Sequence, residues 1–133
     1  MAKFTMIPGN YNAGDSIPLT GTAPRGGTIY HVDGEPIILL KGGVCPGHPI
    51  AYDVDVGVTL TSIGATPEQL ELVQDGVRVS AGLISFDAAA AGEIETTSKP
   101  NEVQAVGSAR IAVNAVTDIT ITDGDVIVHR TDR

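Results

Sequence analysis

Residues 110–130 read RIAVNAVTDITITDGDVIVHR. Ile111, Val113, Ala115, Ile119 and Ile121 fall on odd positions, a period of two that marks a half-buried β-strand. Asp123-Gly124 interrupts the pattern, and Val126 and Val128 resume it on even positions. An Asp-Gly pair between two such runs predicts a two-residue hairpin turn. In that pairing Ile121 faces Val126 and Ile119 faces Val128, so four apolar side chains share one face. Asp118 then faces His129 as a cross-strand ion pair. The stretch 110–122 alternates almost throughout and reads as one long strand, or as two strands joined by a bulge near Thr117-Asp118.

Outward from this stretch, β-rich runs and turn signals alternate at sandwich or barrel spacing. Strands are expected at 28–32, 36–41, 50–54, 58–63, 70–73, 77–84, 93–97, 102–106, 110–116, 118–122 and 126–130. Asp33-Gly34 and Asp75-Gly76 also lie between runs, and a hairpin at the second sets Leu72 against Val79 and Leu70 against Ala81. Thr66-Pro67-Glu68-Gln69 matches a capping box with Pro at the first helical position, which predicts a single helical turn leading into a short strand. Ile37-Ile38-Leu39-Leu40 is apolar on both faces, the signature of a core strand or a subunit contact. Residues 88–92, AAAAG, read as a small-residue loop or one turn.

Residues 1–27 differ in texture. Pro8-Gly9, Gly14, Pro18, Gly21, Pro24 and Gly26-Gly27 recur too often for a helix or a central strand. The segment reads either as a flexible tail or as an extended arm whose spaced apolar residues Phe4, Met6, Ile7, Ile17 and Leu19 are anchors, docking on a neighbouring chain or on its own domain. Residues 28–133 then form one β domain. The 133-residue length suits a single domain that folds without staples.

Composition narrows the chemistry. With no Trp, three Tyr and two Phe, the chain lacks the aromatic platforms on which sugars and single-stranded nucleic acids stack. A net charge of −8 with no basic cluster counts against nucleic acid as a partner. Cys45 stands alone, so neither an internal disulfide nor a paired-thiol zinc site can form, which suits a reducing compartment. No apolar run reaches signal-peptide or membrane-spanning length, and the expectation is a protein made in the cytoplasm with no membrane partner.

Several constellations could carry chemistry. His31, Asp33, Glu35, His48, Asp53 and Asp55 fall within 25 residues, and a cupin-like site binds metal through His and carboxylate. The His-x-His pair of such sites is missing: Asp33 belongs to an Asp-Gly turn, and Asp53 and Asp55 alternate with Val54 and Val56 as a solvent face. Cys45 and His48 could meet in the rigid segment CPGHP, 45–49, but a lone Cys is more often a small buried hydrophobe. Neither a nucleophile elbow nor a phosphate-binding glycine loop is present. The expectation is a protein that is not an enzyme and needs no cofactor, metal or small-molecule substrate.

The arm KFTMIPG (3–9), the segment FDAAAAGE (86–93) and the terminal run 110–130 together resemble the capsid decoration, or cement, proteins of tailed bacteriophages. The resemblance implies an all-β, jelly-roll-like sandwich or barrel with an extended N-terminal arm. It further implies a homo-dimer or homo-trimer on the virion surface, bound to the major capsid protein at capsomer junctions and reinforcing the shell against internal DNA pressure. Phe4, Met6, Ile7, Ile37, Ile38, Leu39 and Leu40 are the expected interface residues. The competing readings are a ligand-binding or adhesion module of a tail, fibre or cell-surface assembly, and a cupin-like metal enzyme built on His31, His48 and His129.

Overall fold

The computed structural model describes residues 2–21, 28–43, 49–63, 67–86, 92 and 94–131. Among the described residues, eleven strands form two sheets packed face to face: β1 (Ala2–Met6), β2 (Gly9–Tyr11), β3 (Leu19–Thr20), β4 (Ile29–His31), β5 (Ile38–Lys41), β6 (Ile50–Thr61), β7 (Gln69–Gln74), β8 (Val77–Ser85), β9 (Ile94–Ala105), β10 (Ser108–Ala115) and β11 (Ile119–Arg130). The first sheet runs β3-β1-β11-β6-β9 with β2 also on β11, and the second runs β4-β5-β10-β7-β8. All strand pairings are antiparallel.

The deciding stretch is used differently from its sequence reading. Residues 119–130 are one 12-residue strand, β11, and Asp123-Gly124 is not a turn. Both residues pair with β6, Asp123 opposite Thr59 and Gly124 opposite Val58, and the register slips between Ile121 and Asp123. Thr122 is thus the extra residue of a β-bulge, which moves the inward positions from odd to even. Ile119, Ile121, Val126 and Val128 share the buried face as the hairpin reading required, because a bulge shifts side-chain parity as a turn does. Gly124 faces inward, where a Cβ would lie 2.6 Å from the Met6 sulfur and 3.1 Å from the Gly57 oxygen. Upstream, 110–122 is neither one strand nor a bulged pair in one sheet. The chain leaves the second sheet after Ala115 and enters the first at Ile119.

At Asp75-Gly76 the tight turn forms: Gln74 faces Val77, with φ of 52° and 83° at the two turn residues, both in the left-handed region that the mirror-image turn requires. Register beyond it departs from a plain hairpin. Leu70 faces Ile84 rather than Ala81, since β8 carries extra residues between Arg78 and Leu83. Asp33-Gly34 lies in a longer loop, with His31 opposite Ile38. The expected strands 50–54 and 58–63 merge into β6, and 93–97 and 102–106 into β9. Pro67 and Glu68 are not helical, while Thr66 and residues 87–91 lie outside the described residues.

The N-terminal segment is extended and lies on its own chain. β1 and β2 follow each other along one edge of β11. Ser16 bridges to Asn114 in the opposite sheet, with Ile17 N–H donating to the Val113 oxygen at 2.8 Å, so this segment spans both layers. Its Pro and Gly residues divide it into short paired pieces. Phe4, Met6, Ile17 and Leu19 join Tyr52, Leu60, Leu70, Leu72 and Ile111 in a fully buried core. The Tyr52 hydroxyl donates to the Lys41 carbonyl across the layers at 2.6 Å, satisfying the polar tip of a buried ring.

Candidate functional site

Alternation decides what each sheet shows to solvent. On the first sheet β6 turns Tyr52, Val54, Val56, Val58 and Leu60 inward and Asp53 and Asp55 outward. Its outer face is polar, with Lys3, Thr5, Asp125, Thr120 and His129 alongside. Lys3 and Asp125 form an exposed ion pair at 3.7 Å.

The outer face of the second sheet is different. On β5, Ile38 and Leu40 point inward, which leaves Leu39 outward and the preceding Ile37 exposed. Register sets Tyr30 and Arg110 on either side of Leu39. It also sets Ala112 beside Val73, and Asn114 beside Glu71. These outward residues form an apolar floor crossing β4, β5, β10 and β7 with polar groups at its ends. A groove of about 380 Å³ is lined by Ile37, Val73, Ala112, Asp75, Arg110 and Asn114, together with Ser16 and Gly76. A second hollow of about 260 Å³, bounded by Tyr30, Val32 and Leu39 among others, shares Ile37 with it.

The polar rim is partly committed. The Ser16 hydroxyl donates to Asn114 Oδ1 at 2.7 Å, and Asp75 Oδ1 accepts the Arg110 backbone N–H at 3.1 Å. Arg78 donates to Glu71 at 2.7 Å, and the Lys41 ammonium sits 5.0 Å from the centre of the Tyr30 ring. Among the described residues the Arg110 guanidinium has no ion-pair partner. The face therefore offers apolar surface with an available cation, a combination suited to an apolar group carrying a carboxylate.

Of the residues read from the sequence as an interface, Ile37 and Leu39 lie on this face. Ile7 is half-buried on the other sheet's edge, its N–H donating to the Pro18 carbonyl at 3.0 Å. Phe4, Met6, Ile38 and Leu40 are enclosed in their own chain's core and have no surface left for another chain. Of the run 37–40 read as apolar on both faces, Ile38 and Leu40 line the core, while Leu39 is half-buried and Ile37 exposed; Leu72-Val73 is likewise apolar on both faces. Tyr30, Arg110 and Ala112 gave no local signal, because only strand order brings them beside Leu39 and Val73.

The clustered acids and histidines are dispersed. His31 lies on β4 with its ring buried, whereas Asp53 and Asp55 project from β6 in the other sheet. Asp33 accepts the Gly21 N–H at 2.8 Å. Asp118 accepts the Ala13 N–H at 2.9 Å and does not face His129, whose register partner is Asp53, because the terminal hairpin does not exist. Cys45 and His48 lie outside the described residues. Among the described residues no three His, Cys, Asp or Glu side chains are grouped to hold a metal ion.

No family model and no curated protein matches the chain. Solved structures do. Murine APRIL superposes with a TM-score of 0.60 at 12% identity, over 93% of this chain and 96% of that one. The globular domain of zebrafish complement 1qA protein gives 0.53 at 9% identity, over 100% and 99%. The chain is a jelly-roll-like sandwich. At these identities the likeness concerns the fold, and function rests on the site.

Proposed function

We propose that the protein is a structural attachment module, a decoration subunit that binds the outer surface of a phage capsid and braces the shell. One observation carries the reading: Ile37, 47% exposed, stands where two hollows meet on an apolar floor with a polar rim, beside an Arg110 with no acid partner among the described residues. The partner is a capsid protein surface that places an apolar side chain on Ile37, Val73 and Ala112 and a carboxylate on Arg110. Each such contact is modest, and repetition over a lattice, as dimers or trimers, multiplies it. The acidic surplus and the polar outer face of the opposite sheet suit the solvent side of a shell. The sequence resemblance to cement proteins points the same way, and the role needs neither cofactor nor reaction.

Ile37→Asp and Arg110→Glu alter exposed side chains and leave the core untouched. Co-sedimentation with heads of the encoding phage, followed by heat challenge, tests the reading. Wild-type protein is expected to bind and delay DNA release, and each variant to bind at least about tenfold more weakly, roughly 1.4 kcal/mol. Failure of wild-type protein to bind, or full binding by both variants, overturns it. The groove's size, within the range of small-ligand sites of about 300–1,000 Å³, favours a second reading as a ligand-binding or adhesion module. Calorimetry with short acidic peptides and uronic-acid oligosaccharides tests that reading.

A further inference from the structure

The three Asp-Gly pairs share a latent reaction, and the fold treats each pair differently. A glycine amide nitrogen, unshielded for want of a side chain, can attack the Cγ carbon of the preceding aspartate. An N–C bond forms, and the carboxyl loses its hydroxyl, which departs as water with the amide proton. Water then opens the resulting five-membered succinimide. Opening at the former main-chain carbonyl leaves isoaspartate, whose main chain runs through Cγ. One water leaves and one returns, so no co-reactant is required. The attack needs a glycine N–H free to lose its proton, a carboxyl group free to swing over the peptide plane, and a backbone free to turn into the ring.

Two of the pairs are denied these conditions. At Asp33-Gly34 the Gly34 N–H donates to the Leu19 oxygen at 2.8 Å, and Asp33 Oδ1 accepts the Gly21 N–H at 2.8 Å, so both reacting groups are occupied. At Asp123-Gly124 both residues pair with β6, and Gly124 is buried against Met6. The Gly124 N–H donates to Asp123 Oδ1 at 2.9 Å. An N–H points along its peptide plane, whereas attack on carbon comes from the face of that plane, and the strand pairing resists the necessary rotation.

Asp75-Gly76 lacks these protections. Both residues are exposed in the β7–β8 turn, and among the described residues the Gly76 N–H makes no hydrogen bond. The space beside Gly76 is open, since an added Cβ would meet nothing within 4 Å. The Asp75 carboxylate is held by the Arg110 N–H alone, at 3.1 Å and in an exposed position. Asp75 is also the one non-glycine residue with a positive φ among the described residues, at 52°, a conformation that L side chains rarely adopt. Isoaspartate inserts a CH₂ and a rotatable bond into the main chain, which releases that constraint. We propose that Asp75-Gly76 is a self-modifying site at which the folded protein converts aspartate to isoaspartate, while the fold keeps Asp33 and Asp123 intact. Asp75 lines the groove of about 380 Å³ beside Arg110. Conversion lengthens the turn and moves the carboxylate from the place where it accepts the Arg110 N–H, so the rim changes with neither mass nor formal charge altered. The chemistry is independent of the proposed attachment role.

The test is peptide mapping of the intact wild-type chain, aged at physiological temperature and pH beside a sample held unfolded in guanidinium chloride. Electron-transfer fragmentation distinguishes isoaspartate from aspartate at each pair, and ageing continues until the unfolded sample shows isoaspartate at all three. In the folded sample Asp75 is expected to convert at least about fivefold faster than Asp33 or Asp123, and in the unfolded sample the three rates are expected to agree within about twofold. A smaller lead for Asp75 in the folded chain overturns the proposal. So does unmodified Asp75 in the folded sample, or the same preference for Asp75 in the unfolded one, which would assign it to local sequence rather than to the fold.

Discussion

Substituting Gly124 by Ala separates the bulge from the turn. In the fold a Cβ at this position meets the Met6 sulfur at 2.6 Å and the Gly57 oxygen at 3.1 Å, well inside ordinary contact. Overpacking of this kind costs about 2 kcal/mol. Replacing a strand glycine by Ala returns roughly 0.5–1 kcal/mol of backbone entropy, so Gly124→Ala should destabilise by about 1 kcal/mol net. Met6 is fully buried, and Met6→Ala should cost about 3 kcal/mol through lost contacts and a cavity. That cavity removes the sulfur the new methyl would strike. In the Met6→Ala background only the 3.1 Å approach to the Gly57 backbone oxygen remains, so the entropic gain and that residual crowding nearly cancel and Gly124→Ala is expected to be close to neutral, a coupling of about 1 kcal/mol. Urea unfolding followed by far-UV circular dichroism measures all four proteins, since the chain has no Trp for fluorescence. A hairpin turn would hold Gly124 away from Met6, and Ala would cost the same in both backgrounds. Equal costs within about 0.5 kcal/mol would refute the reasoning.

Gly42→Ala should be the more damaging glycine substitution. Its Cβ would lie 2.5 Å from the Ala105 oxygen and 2.7 Å from the Gly107 nitrogen, both backbone atoms that cannot swing aside. About 3 kcal/mol or more is expected, and a denaturation midpoint at or above that of Gly124→Ala would contradict it. Burial raises the Tyr11 phenol above its ordinary value of 10.0, and its hydroxyl donates to the Ile7 carbonyl at 2.5 Å. The folded state thus holds this proton longer than the unfolded chain, and stability should fall as pH climbs past 10. Tyr11→Phe should flatten that alkaline decline in melting experiments, and an unchanged slope would count against the burial.

The apolar outer face of the second sheet was half legible. Doubly apolar runs such as Ile37–Leu40 announce a strand with something on both sides, and the core accounts for one side. What joins Ile37 to Ala112, Val73 and Arg110 is the order β5-β10-β7, a pairing between segments some 40 to 75 residues apart in sequence. The N-terminal segment misled for a related reason. Its Pro and Gly content predicts short extended pieces, and such pieces look the same whether they lie on a neighbour or, as Phe4 and Met6 do, inside their own chain.

By itself the sequence determined the class of structure and, strand by strand, which side chains turn inward, because alternation is a local property of a pleated chain. The tertiary structure decided which strands are neighbours and what the Asp-Gly pairs do. Asp75-Gly76 is a turn and Asp123-Gly124 part of a bulged strand, though both sit between alternating runs. A turn and a bulge shift side-chain parity alike, so Ile119, Ile121, Val126 and Val128 satisfy either geometry. Long-range packing settles the choice: β11 continues through the bulge because β6 pairs along its length and Met6 fills the space that only a glycine at 124 leaves open.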